Sequence, residues 1–367
     1  MAAMNTLLLS PELFLHDGGI ARIMRLYLKA LCEFAVPGQD KVVSISLNDR
    51  PGEDRRAGAY ANAALQPLIG CGHSKARFVQ ATLHHARRDS RIVCGHLHQL
   101  PAAWLAAKLR PGLRYFLVAH GIEVWRPFSR LETRALRGAD GILCISDYTR
   151  RQLRRFCPSL EVSRLLVIPN TFDPVLAAAQ PVVSNPPDPL APRLLCVSRL
   201  TQADSYKGVD TLIEALPAIR IHHPGAQLRI VGDGDDRARL QTIVRQLGLA
   251  EAVVFTGRID DDALRAEYEA CDLFVLPSWR EGFGLVYLEA MIHGKPCLAA
   301  RAGGAPEVIN EHVGAIADYG DIPGIVAAVS DLVTHPRDPG RIRAHAQTFA
   351  FPSFMQRLAA ALPSAEA

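Results

Sequence analysis

What this chain lacks narrows its class before any motif is read. Its 367 residues contain no run of 18 uncharged apolar positions, which argues against a membrane-spanning helix. The eight cysteines, Cys32, Cys71, Cys94, Cys144, Cys157, Cys196, Cys271 and Cys297, form no C-x-x-C pair. Several stand inside apolar strand-like runs, where a free thiol behaves as a small hydrophobe, so buried reduced thiols are expected. His96 and His98 beside Cys94 have no matching second cluster, so no metal site is expected there. The chain runs straight into a strand at Thr6–Ser10 without a basic start and a long apolar stretch, which makes a cytoplasmic location the expectation.

What is present points to a globular protein of two domains. Hydrophobic content is 49% and charge 21%, ordinary values for packed domains. A chain this long exceeds one core, and two domains of roughly 170–190 residues are expected. The net charge of +4 hides an uneven distribution: residues 1–170 hold 24 Lys and Arg against 13 Asp and Glu, the remainder 17 against 24. A basic first half suits an anionic lipid surface or a pyrophosphate-linked acceptor, and equally an arginine-rich solvated face. No nucleic-acid partner is expected.

Short apolar runs alternate with amphipathic stretches along both halves. Strands are expected in the first half at Thr6–Ser10, Lys41–Leu47, Arg91–Gly95, Tyr115–His120, Gly141–Ser146 and Leu165–Pro169. The second half offers Arg193–Ser198, Gln227–Gly232, Val253–Thr256, Leu273–Pro277, Pro296–Ala300 and Gly314–Ala317. Such alternation predicts parallel sheets covered by helices on both faces. Residues 171–192, dense in proline, read as a linker. The expected fold class is therefore α/β, with two Rossmann-like doubly wound domains facing across a cleft. The first spans 1–170 and binds the acceptor; the second spans 193–340. A helical segment, 341–367, interrupted at Phe351-Pro352, is expected to pack back on the first domain.

Chemistry concentrates after the strands of the second half. Arg199 follows one strand, with Lys207-Gly208 before the next helix. Gly232-Asp233-Gly234 and Gly257-Arg258 follow two more. After Leu273–Ser278 comes Glu281-Gly282-Phe283-Gly284-Leu285-Val286-Tyr287-Leu288-Glu289, with one glutamate on a loop and the other inside the next helix. Loops at the C-terminal edge of a parallel sheet are where open α/β folds bind ligands. Glycines there admit a ligand to the backbone, and the helix start offers N–H groups to an anion. Two cations beside them suit a diphosphate. A sugar nucleotide has this chemistry. Taken singly, each feature has a plain structural reading: a tight turn for Gly-Asp-Gly, a solvated arginine, an exposed glutamate.

Together, over roughly residues 193–310, these segments resemble the nucleotide-sugar-binding domain of family 4 retaining glycosyltransferases of the two-domain GT-B fold. The carrying motif is Glu-x7-Glu, Glu281 to Glu289, supported by Val197-Ser198-Arg199-Leu200, Tyr206-Lys207-Gly208-Val209-Asp210, Ile230–Gly234 and Phe255-Thr256-Gly257. The resemblance implies that Glu281 contacts donor-sugar hydroxyls and Glu289 the ribose. It places the backbone of Gly282, Phe283, Gly284 and Leu285 at the sugar and distal phosphate, and that of Gly257, Arg258 and Ile259 at the base. Arg199 and Lys207 would hold the diphosphate. In the first half, Gly18-Gly19 match the family's glycine loop and His120 a histidine near the donor sugar, although a strand-end histidine bonding a backbone group reads equally simply.

The implied reaction is retaining transfer of a hexosyl unit from a UDP-, GDP- or ADP-sugar to a sugar or lipid-linked acceptor hydroxyl, in polysaccharide or glycoconjugate synthesis. Front-face attack is implied, with no cofactor and no metal. Asp260-Asp261-Asp262 reads as helix capping. The residues Ala203-Asp204-Ser205 lengthen the Arg199–Lys207 spacing, and a bulging loop is expected there. A peripheral membrane contact is one reading of the basic helix Tyr148–Phe156, with Leu153 and Phe156 dipping into lipid. Two competing functions stand beside this one: a hydrolysing nucleotide-sugar 2-epimerase, and a non-catalytic nucleotide-sugar-binding subunit.

Overall fold

The computed structural model describes residues 4–36, 38–52, 54–177 and 187–362. It divides into two compact units, Met1–Asp173 with Phe351–Ala367, and Pro174–Ala350. Part of the proline-dense stretch, residues 178–186, lies outside the described residues. Within the described part of that stretch, Pro174–Ala177 is a short helix.

The first unit holds a parallel sheet of β1 (Asn5–Ser10), β2 (Lys41–Ser46), β3 (Leu65–Gly70), β4 (Ser90–Cys94), β5 (Arg114–Ala119), β6 (Gly141–Cys144) and β7 (Leu165–Val167). The spatial order is β3-β2-β1-β4-β5-β6-β7. Leu7 at the sheet centre is registered with Val43 on one side and Ile92 on the other. Leu7, Leu8 and Leu9 are all fully buried, as strands covered on both faces require. Each such side chain contributes about 1.5–3 kcal/mol on burial. Strand β3 was not anticipated. It carries Pro67 and sits at the sheet edge, where a missing N–H is tolerated and the apolar pattern is weak.

The second unit repeats the plan with β8 (Arg193–Val197), β9 (Gln227–Val231), β10 (Val253–Gly257), β11 (Leu273–Leu276), β12 (Cys297–Ala300) and β13 (Gly314–Ala317). Their order is β10-β9-β8-β11-β12-β13. The helix Ile322–Thr334 was also not anticipated. Pro323 and Gly324 in its first turn mask a run whose Ile325, Val329, Leu332 and Val333 are buried.

The terminal segment set apart at residue 341 is shared between the units. Helix Pro339–Gln347 belongs to the second, with His345 Nε2 2.8 Å from the Val308 carbonyl. Helix Phe351–Ala361 belongs to the first, its Phe354 ring 5.0 Å edge-on to Tyr27, with Arg91 Nη1 donating to the Leu362 carbonyl at 3.0 Å. The break between them falls before Phe351, because Pro352 occupies a first-turn position where its missing N–H costs nothing. All eight cysteines are buried and free.

Both sheets reverse strand order once, between β1 and β4 and between β8 and β11. In a doubly wound sheet the two loops that leave such a switch point diverge and open a crevice at the C-terminal edge. The sequence delivers Gly18-Gly19 to the first switch point, and Arg199 and Glu281 to the second.

Candidate active site

In the second unit the loop after β8 carries Arg199 and continues as a short 3-10 helix, Gln202–Lys207. The extra residues Ala203-Asp204-Ser205 thus form a wound turn rather than the expected bulging loop. The turn brings Lys207 to the neighbouring loop, where its Nζ lies 2.6 Å from Glu281 Oε2. Both side chains are largely buried, at 19% and 12% exposure. Gly208 ends the turn with φ 71°, and a Cβ there would stand 2.6 Å from the Pro277 carbonyl oxygen. That close approach is what lets the two loops lie together.

Glu281 is fixed by a pair of glycines that the sequence reading missed, Gly303, where a Cβ would collide with the Glu281 backbone, and Gly304. Gly304 N–H donates to the Glu281 carbonyl at 2.7 Å. The signal available was the Gly-Gly dipeptide just after an apolar strand.

The helix Leu285–Ile292 begins with Gly284 at φ 92° and has no side-chain cap. Among the described residues, the N–H groups of Phe283, Gly284, Leu285 and Val286 donate to no protein acceptor. A side chain at 284 would place Cβ 2.2 Å from the Tyr287 ring. The Phe283 ring is buried edge-on against Phe349 at 5.6 Å, so this residue contributes its backbone. Uncapped N–H groups at a helix start carry the positive end of the peptide dipoles.

Arg199 and Glu289 are held by other partners. Arg199 is 69% exposed and donates from Nη2 to Asp204 at 3.1 Å. Glu289 is buried and accepts from the Tyr268 hydroxyl at 2.9 Å. Among the described residues Lys207 meets Glu281 directly, Arg199 approaches that pair through Asp204 and Tyr206, and Glu289 bonds to the helix Asp261–Ala270. Gly257 bridges to Gly232, whose N–H donates to the Gly257 carbonyl at 2.9 Å. Arg258 is exposed and Ile259 half-buried beside it.

Carboxylates near these loops are occupied. Asp233-Gly234-Asp235 has an Asp-x-Asp spelling that the sequence reading passed over. Asp233 pairs with Arg237 at 3.5 Å, and Asp235 accepts from Gln202 N–H at 2.9 Å. Asp260 caps its helix, accepting from Ala263 N–H at 2.8 Å.

In the first unit Gly18 caps the helix Gly19–Phe34 without a side-chain bond, and a Cβ there would meet nothing within 4 Å. Local packing does not demand glycine at that position. His120 is buried, with Nε2 2.8 Å from the Gly95 carbonyl. Burial pushes its pKa down to about 4, partly offset by that bond. His96 falls to about 3, through burial and then the neighbouring His120. Glu123 accepts from His120 N–H at 2.6 Å, and desolvation lifts its pKa to about 7. The basic helix, Asp147–Phe156, differs from expectation in one respect. Leu153 is fully buried in the core, so it is not available to lipid. Arg154 and Arg155 are exposed.

Comparison with known proteins follows the same division. Residues 191–335 match the family model described as Glycosyl transferases group 1, and residues 18–176 that of Glycosyltransferase Family 4. A GDP-mannose-dependent alpha-(1-6)-phosphatidylinositol monomannoside mannosyltransferase of Mycolicibacterium smegmatis is 35% identical over 266 residues, covering 65% of this chain and 69% of the relative. The chain belongs to the family 4 glycosyltransferases. The Mycobacterium tuberculosis enzyme of the same description is 35% identical over 250 residues, with the glycosyltransferase spanning 64% of that relative's length. The sucrose-phosphate synthase of Thermosynechococcus elongatus shares the fold, with TM-score 0.75 at 22% identity over 97% of both chains.

Proposed function

We propose that this glycosyltransferase moves a hexosyl unit from a nucleoside-diphosphate sugar to an acceptor hydroxyl, with retention and without a metal ion. The reading is carried by one observation: the Lys207–Glu281 pair stands on the same loop system as the four N–H groups, Phe283 to Val286, at the start of an uncapped helix, which meet no protein acceptor among the described residues. A diphosphate suits the helix start and the cations Lys207 and Arg199. Sugar hydroxyls suit the Glu281 carboxylate. The ion pair is then a resting arrangement in which each partner holds the other until donor groups replace it.

As the bond from the anomeric carbon to the diphosphate breaks, negative charge grows on the leaving phosphate. Lys207, Arg199 and the helix N–H groups stabilise it. The acceptor oxygen attacks from the same face, and its proton passes to a leaving phosphate oxygen. The protein's share is position and fixed charge. Glu289 is assigned to the ribose and the Gly257–Ile259 backbone to the base.

The donor we propose is GDP-mannose and the acceptor a lipid-linked mannoside, supported by the activity for which the 35% identical relatives are named. Among the described residues no helix is long and apolar enough to cross a membrane. A peripheral contact at the cytoplasmic face is proposed through exposed Arg154 and Arg155, by charge rather than insertion. Cosedimentation with vesicles containing phosphatidylglycerol, but not with pure phosphatidylcholine, is the expected result.

A melting-temperature screen of GDP-, UDP- and ADP-hexoses tests the donor, with GDP-mannose expected to give the largest rise. Release of GDP in the presence of a mannolipid extract then tests transfer. EDTA is expected to leave that rate unchanged, and a loss restored by magnesium would refute the metal-free mechanism.

A further inference from the structure

Asp204 lies between the two cations Arg199 and Lys207 in sequence, and it is buried. Three side chains donate to it: Arg199 Nη2 to Oδ1 at 3.1 Å, the Tyr206 hydroxyl to the same Oδ1 at 2.9 Å, and Thr201 Oγ1 to Oδ2 at 2.7 Å. Among the described residues, no protein acceptor engages Arg199 through Nε or Nη1. The Tyr206 ring lies 5.5 Å from Lys207 Nζ, and the Tyr206 carbonyl accepts Trp279 N–H at 3.0 Å. A single carboxylate thus touches one cation and, through one tyrosine, borders the other.

We infer that Asp204 is the positioning residue of this active site: it holds the exposed Arg199 guanidinium by one nitrogen and leaves the rest of the fork aimed outward for the donor diphosphate. An arginine 69% exposed would otherwise sample many rotamers, and fixing it beforehand removes that entropy from the catalytic step. The carboxylate also subtracts a charge beside an anion site. Charge attenuation alone would make Asp204 unfavourable for donor binding, and positioning makes it favourable. The two effects have opposite signs, so they can be separated. The inference rests on Arg199 facing the diphosphate, as proposed above.

The test is a double-mutant cycle on the full chain with Asp204→Asn, Arg199→Ala and the double variant. GDP release from GDP-mannose gives kcat and KM, and calorimetry with GDP alone gives affinity. Asp204→Asn keeps the shape and removes the charge; it is expected to lower kcat about tenfold or more, on the scale of small misplacements in a site. In the Arg199→Ala background the same change is expected to have no further effect, the signature of two residues acting as one unit. Multiplicative losses, or tighter GDP binding with unchanged kcat, would overturn the inference while leaving the role of Arg199 intact. Full activity in Arg199→Ala alone would overturn that role and the inference with it. If Asp204→Asn does not fold, Thr201→Val removes one donor that holds Asp204. Its smaller loss in kcat is likewise expected to vanish without Arg199, and persistence of the loss would count against the inference.

Discussion

The two sheets reverse at equivalent points, yet they furnish those points differently. At β8/β11 the second unit assembles charge, with Lys207 and Glu281 2.6 Å apart and Arg199 nearby on Asp204. At β1/β4 the first unit offers Gly18 with open space beside it, and a histidine whose depressed pKa keeps it neutral. One topology can therefore present either a charged cradle or a glycine opening beside a neutral histidine. The choice is made by a handful of loop residues, because the strands beneath are committed to packing.

The sharpest way to break this contrast is to discharge the second switch point. Glu281→Ala is expected to lower the transfer rate by about 100-fold or more, the scale of losing one preorganised polar contact. Lys207 would be left largely buried without its partner, so the melting temperature should fall as well. Replacing both, Glu281→Gln with Lys207→Met, is expected to restore the melting temperature without activity. Activity surviving in the double variant would end the charged-cradle reading.

Glycine substitution gives the next largest effect and opposes the units directly. Gly284→Ala meets the Tyr287 ring at 2.2 Å with φ 92°, and should destabilise by about 1–3 kcal/mol in a urea titration. Gly18→Ala meets nothing and should change stability by less than about 0.5 kcal/mol. If Gly18 faces a ligand, its alanine variant loses turnover at unchanged stability. Loss of stability would show instead that Gly18 serves the fold.

The smallest expected effect is the pH response of the first unit. His120 and His96 have folded pKa values of about 4 and about 3, below the ordinary 6.5 of a histidine. On acidification the unfolded chain binds protons first, so this contribution is complete above about 6.5 and lost as pH falls toward 4. Glu123, raised from 4.5 to about 7, works the other way: its contribution is complete below about 4.5 and lost as pH rises through 7. Calorimetry is expected to show a melting temperature that declines from pH 7 to 4, more steeply in Glu123→Gln and less so in His120→Asn. An unchanged slope in both variants would show that these groups do not set the acid response.

Much of the candidate site was legible because its residues are punctuation as well as chemistry. Glu281, Gly282 and Gly284 sit between an apolar run and a helix, a pattern readable by period alone. Less legible were Asp204, Thr201, Tyr206 and Gly303-Gly304, whose roles depend on what a neighbouring loop brings to them. Strand β3 escaped because Pro67 stands in a weak edge-strand pattern, and the helix Ile322–Thr334 because Pro323 and Gly324 interrupt its first turn. Leu153, placed toward lipid from its helical position, is in the core, since a helix carrying few apolar residues uses them first for packing.

By itself the sequence determined that strands and helices alternate twice, that apolar runs form two sheets, and that charged and glycine residues gather where strands end. Periodicity and local turn chemistry suffice for that, because they act over a few residues. Tertiary structure decided which strands became neighbours, and therefore that the loops after β8 and β11 meet. The contact of Lys207 with Glu281 and the holding of Arg199 by Asp204 follow from that adjacency and from burial, which no local pattern encodes.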